Sequence, residues 1–383
     1  MKSKNIIGIV VIVVIVILLG SFLGKALNNG ENVGLGALVS SSVSDEETIR
    51  IGALLCQTGS CAEWGENSLK GINLAIEEIN LQGGILGKEV QIVVQDSNES
   101  SPVEAVTGFR HMVSKDIKYF IGPSWTVGGN AVHPVASQED IIITSPSLGV
   151  SDFNEAGDNM FNVWPHDELA SRALAKFTLD QGLRKVVILS SLEAWYKTQG
   201  DAFADEFTKL GGEILLIEEI PSSTKDVKTI ASKFMELNPD AVMYTNLDIM
   251  GQMAVELKIR GYAGEQVSIL MDKTRLSDAR GALEDAYFVQ YELATEDFKK
   301  SYRIKYDSDP GVAADNAYDA VYLYKKAIED AGTTNVDKVK NVMNGYKTFS
   351  GASGELKFNG KGGVTKPPVF WQVKGEEFIK IEA

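Results

Sequence analysis

From Thr48 onward the chain repeats one unit: a short apolar run, a polar loop, then a stretch of helical period. Residues 49–55 read as the first strand. Leu69, Ile72, Ile76 and Ile79 then fall on one helical face, and Gly83-Gly84 ends that helix. Residues 89–95 form the next strand. Ser101-Pro102-Val103-Glu104 is a capping box with proline at the first helical position, so a second helix starts there. Residues 119–121 and 141–143 read as the third and fourth strands.

After Pro165 the unit resumes. Strands are predicted at 186–190, 214–220, 241–244 and 267–271, with helices through Phe203 and Phe207 and near 227–237 and 250–259. Strands separated by helices pair in parallel through right-handed crossovers. The fold class is therefore α/β, with two doubly wound parallel-sheet lobes meeting near residue 165. A chain of 383 residues also exceeds what one core usually holds, about 250–300.

Composition narrows the chemistry. The net charge is −15 with no basic stripe, which excludes nucleic acid as the expected partner. Two cysteines cannot build a four-ligand zinc cage, and His111, His133 and His166 are scattered and read as structural or surface groups. No nucleophile elbow, phosphate-binding glycine loop or metal-ligand cluster appears, so no catalytic residue, metal or cofactor is expected. Cys56 and Cys61 lie in one loop. In an oxidising compartment they are expected to form a disulfide that stiffens the loop presenting Thr58 and Trp64, the alternative being two free thiols.

The N-terminus sets the compartment. Residues 5–24 carry no charge, are rich in Ile and Val, and follow Lys2 and Lys4. At about 1.5 Å per residue the run matches a bilayer core of about 30 Å. The positive flank stays in the cytoplasm and the remainder is exported. Residues 1–25 are read as a membrane anchor or a signal peptide, with cleavage possible after Ala26. The apolar run is longer than a typical signal core, which favours the anchor. Residues 26–47, rich in Asn, Gly and Ser, read as a flexible tether.

On doubly wound sheets, ligands sit beyond the C-terminal ends of the strands. The loops there hold Trp64 after the first strand, Trp125 and Thr126 after the third, and Ser145 and Ser147 after the fourth. In the second half they hold Trp195 and Tyr196, Asn246 and Leu247, and Asp272. Helix-start N–H groups and hydroxyls bind anions, aromatics cover apolar parts, and a carboxylate pairs with an ammonium group. The set suits a small zwitterion. The same residues also suit blander roles: loop packing for the tryptophans, helix caps for Thr126, Ser145 and Ser147, and a cap or surface charge for Asp272. Asp315 and Asp319 read as a solvated helix face.

The run Thr58-Gly59, Ala62-Glu63-Trp64-Gly65, Glu78-Ile79-Asn80 and Gly83-Gly84-Ile85-Leu86-Gly87-Lys88 resembles the opening of the leucine/isoleucine/valine-binding proteins. These are type I periplasmic solute-binding proteins of ABC importers. Gln95-Asp96-Ser97-Asn98, Ile121-Gly122-Pro123, Ser145-Pro146, Lys225-Asp226-Val227, Asn238-Pro239-Asp240-Ala241-Val242, Ala317-Tyr318-Asp319-Ala320-Val321 and Gly354-Glu355-Leu356-Lys357-Phe358 continue the likeness, from about 48 to 380.

The resemblance implies lobes of 48–163 plus 290–345 and 164–289 plus 346–383, with crossings near 161–165, 288–291 and 346–349. They would close on a ligand. It implies that Trp64 walls the pocket and that Trp125 and Thr126 meet a ligand carboxylate. Ser147 would offer its backbone and Tyr196, rather than Trp195, the second lobe's aromatic. Asn246 or Leu247 stands where the family often has Tyr, and Asp272 would pair with the ligand ammonium. Gly149 stands where amino-acid binders often carry a Thr hydroxyl. The function implied is capture of a branched-chain-like amino acid or related polar solute for an ABC permease, by a monomer. A ligand-sensing ectodomain with a membrane signalling partner is the alternative.

Overall fold

The computed structural model describes residues 48–382 apart from 60, 99, 100, 222, 225 and 293. The expected anchor (1–25) and tether (26–47), Ser60 of the first loop and Lys225 of the resemblance lie outside the described residues. No helix among the described residues is long and apolar enough to cross a membrane.

The first sheet contains β1 (Thr48–Leu55), β2 (Glu89–Asp96), β3 (Tyr119–Ile121), β4 (Ile142–Ser145) and β5 (Met160–Asn162), all parallel, in the order β2-β1-β3-β4-β5. The crossovers run through α1 (Ala62–Leu81), α2 (Pro102–Val113), α3 (Thr126–Ala136) and the short α4 (Ser151–Glu155). β3 and β4 are buried throughout, which is why they read as unbroken apolar runs rather than as alternation. Half of the capping box forms: Ser101 Oγ accepts the Glu104 N–H at the start of α2, while the Ser101 N–H donates to the Asn98 carbonyl and the Glu104 carboxylate meets the Asn98 amide.

After α5 (Asp167–Asp180) comes the second sheet. Its parallel strands are β6 (Lys185–Ser191), β7 (Glu213–Ile220), β8 (Ala241–Tyr244), β9 (Glu265–Ile269) and β10 (Tyr287–Tyr291). Between them lie α6 (Ala194–Lys209), α7 (Lys228–Leu237), α8 (Met250–Ile259) and α9 (Lys273–Asp278). β9 stops at Ile269, two residues earlier than expected. Leu270 takes the left-handed conformation (φ 56°) and donates its N–H to Val289, which ends the ladder before Asp272.

The chain then returns to the first lobe through α10 (Glu296–Tyr306), α11 (Ala314–Ala331) and α12 (Val336–Gly345). Ala317, Val321 and Tyr324 of α11 share one core with Ile72, Ala75 and Ile79 of α1. Each such fully buried Ile or Val contributes about 1.5–3 kcal/mol. The Tyr324 hydroxyl, buried in this core, donates to the Phe120 carbonyl.

Two expectations need correction. Residues 346–365 were expected in the second lobe. Instead β11 (Thr348–Gly351), β12 (Gly354–Phe358) and β13 (Val364–Thr365) form a small sheet that buries Phe349, Leu356 and Val364 in the first lobe's core. The third passage therefore follows Thr365, where β14 (Pro368–Lys374) and β15 (Glu377–Ile381) join the second sheet antiparallel, in the order β15-β14-β10-β9-β8-β6-β7. Second, Asp315 and Asp319 are buried, not solvated. Asp319 accepts the N–H groups of Ala352 (2.6 Å) and Ser353 (2.8 Å) and the Ser353 hydroxyl, pinning the β11–β12 turn to α11. Burial pushes its carboxyl up to about 7 against the pull of those bonds.

In each sheet the strand order reverses beside the first strand of its lobe, between β1 and β3 and between β6 and β8. The crevice at such a switch point receives ligands. The segments leaving β1 and β3 carry Trp64 and Trp125, and those leaving β6 and β8 carry Tyr196 and Asn246, so the topology of each sheet sets its pair at that sheet's switch point.

Candidate functional site

The first lobe's wall is built on two loops. Cys56 and Cys61 form a disulfide with Cα atoms 5.8 Å apart. Asp96 at the end of β2 accepts the Gln57 N–H (2.9 Å) and the Thr58 hydroxyl (2.7 Å), holding the same loop from its other side. Burial raises the Asp96 pKa, but these donors and the Asn98 N–H outweigh it and leave it below its ordinary value. Trp64 in the first turn of α1 meets Trp125 edge-on, with ring centroids 5.3 Å apart. Gly65 beside it has no room for a side chain, since a Cβ there would stand 1.6 Å from the Cys56 carbonyl oxygen.

Trp125 is the N-cap residue of α3 and Thr126 its first residue. The first-turn N–H groups of a helix have no intrahelical acceptor, so this end is suited to an anion. Ser145 and Ser147 are buried, and both hydroxyls serve the protein. Ser145 Oγ donates to the Pro123 carbonyl (2.6 Å) and accepts the Leu148 N–H (3.0 Å). Ser147 Oγ donates to the Ser124 carbonyl (2.7 Å).

The second lobe's wall is a polar chain. The Tyr196 hydroxyl donates to Asp248 Oδ2 (2.7 Å), and Arg275 stands 3.9 Å from Asp248. Asp272 caps α9 by accepting the Arg275 N–H (2.7 Å) and is ion-paired with the Arg275 guanidinium. The guanidinium also donates to the Leu247 carbonyl (3.2 Å). Two carboxylates and one guanidinium leave this wall negative. Asn246 is fully buried. Its amide donates to the Ser190 carbonyl (3.3 Å), while its Oδ1 has no partner among the described residues. Leu247 packs into the second lobe's core.

The eight predicted residues thus form two groups: Trp64, Trp125, Thr126, Ser145 and Ser147 on one lobe, and Tyr196, Asn246 and Asp272 on the other. What joins them was missed from the sequence. Trp64 lies 6.0 Å from Trp164, ring to ring. Trp164 Nε1 donates to Asp167 Oδ1 (2.9 Å), and Trp195 Nε1 donates to Asp167 Oδ2 (2.9 Å). Trp195 in turn meets Tyr196 edge-on at 5.3 Å. Four of the five tryptophans therefore fall in one line across both lobes. The available signal was a Trp and an Asp three residues apart inside the first crossing.

Main-chain and side-chain bonds reinforce this junction. The Asp167 N–H donates to the Gly149 carbonyl (2.9 Å), and the Ser151 N–H and hydroxyl both approach Glu168 Oε1 (3.4 Å). The Tyr291 hydroxyl donates to the His166 carbonyl (2.7 Å), and His166 Nε2 meets Asn154 Oδ1 (2.7 Å). Burial lowers the His166 pKa, which keeps the ring neutral.

A cavity of about 310 Å³ opens between the lobes, lined by Thr126, Ser151, Glu168, Arg172, Thr198 and Asp201 among others. Of the predicted residues only Thr126 reaches it. A larger groove of about 630 Å³ lies on another face, between α1, α10, α11 and β11, and includes Glu78, Phe298, Tyr318 and Tyr322 but none of the predicted site residues. Among the described residues no group of acids, histidines or cysteines is placed to hold a metal ion.

Comparison with known proteins agrees with this architecture. Residues 48–375 match the family model described as periplasmic binding protein. The Leu/Ile/Val-binding protein homolog 3 of Brucella melitensis is 24% identical over 352 residues, covering 88% of this chain and 94% of that protein. Among solved structures, a leucine-binding protein of Thermotoga maritima superposes with a TM-score of 0.79 at 22% identity, covering 87% of this chain and 98% of the other. A branched-chain amino acid substrate-binding protein of Streptococcus pneumoniae, in complex with isoleucine, does so at 0.77 and 22%, covering 87% and 99%. With a switch point in each of two doubly wound sheets and a family match over residues 48–375, the chain belongs to the periplasmic binding protein family.

Proposed function

We propose that this chain is the extracytoplasmic substrate-binding protein of an ABC importer and captures a small, branched-chain-like amino acid or related polar solute between its lobes. The observation that carries the reading is the opposite polarity of the two walls. The first lobe offers the α3 N-terminus beside Trp64 and Trp125, and the second offers Asp248 and Asp272 beside Tyr196. A carboxylate suits the first wall and an ammonium group the second. The names of the relatives, which refer to leucine, isoleucine and valine, support the same class.

In this reading Trp64, Trp125 and Tyr196 enclose the apolar part, and Thr126 and the backbone near Ser145 and Ser147 receive the carboxylate. Asp272 acts on the ammonium group together with Asp248, with Arg275 between them, and Asn246 supports the floor through its amide bond to the Ser190 carbonyl. Closure draws on contacts from both lobes and is a population shift. The apolar run at 5–24 would hold the protein at the membrane beside its permease. Titration calorimetry of the full chain against the common amino acids tests this. Heat and a thermal shift with L-leucine, L-isoleucine or L-valine are expected. No response to any of the common amino acids removes the amino-acid reading.

A further inference from the structure

We propose that Asp167 is the positioning residue of the cleft: its carboxylate holds the indoles of Trp164 and Trp195 together and so makes one continuous wall from the two lobes. The contacts require no ligand. Their consequence for capture rests on the function proposed above.

Asp167 is 4% exposed and no basic side chain among the described residues bonds it; its two oxygens each take one indole N–H at 2.9 Å. Two converging donors demand a group that only accepts. An ionised carboxylate does so, whereas an amide would turn its NH₂ towards one indole. The residue order follows from this requirement. Trp125 meets Trp64, Trp64 meets Trp164, Trp195 meets Tyr196, and Asp167 is the link between the two halves of that line. Gly149 is part of the same device, because the Asp167 carboxylate occupies the space a side chain there would need.

The link is sensitive to protons. Burial pushes the Asp167 carboxyl up to about 7, although both indoles pull it down. Protonation would turn one acceptor oxygen into a donor and release an indole. The titratable groups around it are Glu168 on the same helix, His166 just before it and Tyr291 from β10. Glu168 and Tyr291 are engaged with Ser151 and the His166 carbonyl.

The test is a pH titration of the full chain with ¹⁵N-labelled indoles, followed by proton–nitrogen correlation spectra. Trp164→Phe and Trp195→Phe assign two of the five indole signals. Both signals should move with one midpoint near 7, and both should stop moving in Asp167→Asn. Trp195→Phe removes one donor from the anion, so the Trp164 signal should titrate higher by roughly one to two pH units. That variant decides the matter if Asp167→Asn does not fold. Where L-isoleucine binds, its Kd should share the wild-type midpoint and lose its pH dependence in Asp167→Asn. Signals fixed between about pH 5 and pH 9, or still titrating in Asp167→Asn, would overturn the proposal. Normal titration with no amino-acid heat would instead remove the ligand reading and leave this one standing.

Discussion

Gly149 and Asp167 occupy one space: a Cβ on Gly149 would stand 1.8 Å from Asp167 Oδ2, while the Asp167 N–H donates to the Gly149 carbonyl at 2.9 Å. A glycine here admits the carboxylate, not an unusual backbone angle. Gly149→Ala should therefore destabilise by about 1–3 kcal/mol or more, as overpacking does. Combining it with Asp167→Ala should cost less than the sum of the two single changes, because the second makes room for the first. Urea unfolding of the four proteins checks this, and strict additivity would contradict it.

Asp167 and Asp319 predict an unusual pH profile. Both carboxyls are raised by burial to about 7 from an ordinary 3.8. Between those values the native state holds more protons than the unfolded chain, so their contribution to stability falls as pH rises through that window. Above about pH 7 both are charged in both states and the slope vanishes. Asp319→Asn should flatten the profile. It should also lower stability by about 1–3 kcal/mol, since its NH₂ meets donors from Ala352 and Ser353. Chemical denaturation across this pH window gives the slope.

The Cys56–Cys61 bridge closes a short loop, and the chain-entropy estimate for a loop of that size is about 2 kcal/mol. Alkylation of unreduced native protein should label neither cysteine. Reduction, or Cys56→Ser with Cys61→Ser, should lower the thermal midpoint and alter Trp64 fluorescence, because Trp64 begins the helix that follows. Full labelling without reductant would disprove the bridge.

Asp272 has two tasks that separate by measurement. Asp272→Ala removes the α9 cap, costing about 1 kcal/mol of stability, and frees the Arg275 guanidinium. If the carboxylate also receives a ligand ammonium, L-isoleucine affinity should fall by tenfold or more, about 1.4 kcal/mol. Asp272→Asn keeps a capping oxygen, so stability should recover while affinity stays low. Recovery of both would leave Asp272 a cap alone.

The parallel lobes were legible because each strand is a short apolar run and each helix shows its own period, and both signals are local. β3 was expected at 119–121 and β8 at 241–244, where the structure has them. The ends of elements were less so. Nothing in residues 267–271 announces that Leu270 adopts the left-handed region. Asp315 and Asp319 read as surface because carboxylates usually are. The burial of Asp319 depends on a turn more than thirty residues later that supplies the donors.

The repeating strand–helix units and the polar loops after the strands were readable from residue order, since both depend on neighbours along the chain; the Cys56–Cys61 bridge was expected there with two free thiols as the alternative, and the structure forms it. Only the tertiary structure decided that Phe349, Leu356 and Val364 belong to the first core. It alone showed that Asp167 meets the Trp195 indole in the space left by Gly149. These contacts join segments whose separation in sequence carries no periodic signal, twenty-eight residues between Asp167 and Trp195. Their energies come from burial and donor geometry, which exist only once the distant segments have packed together.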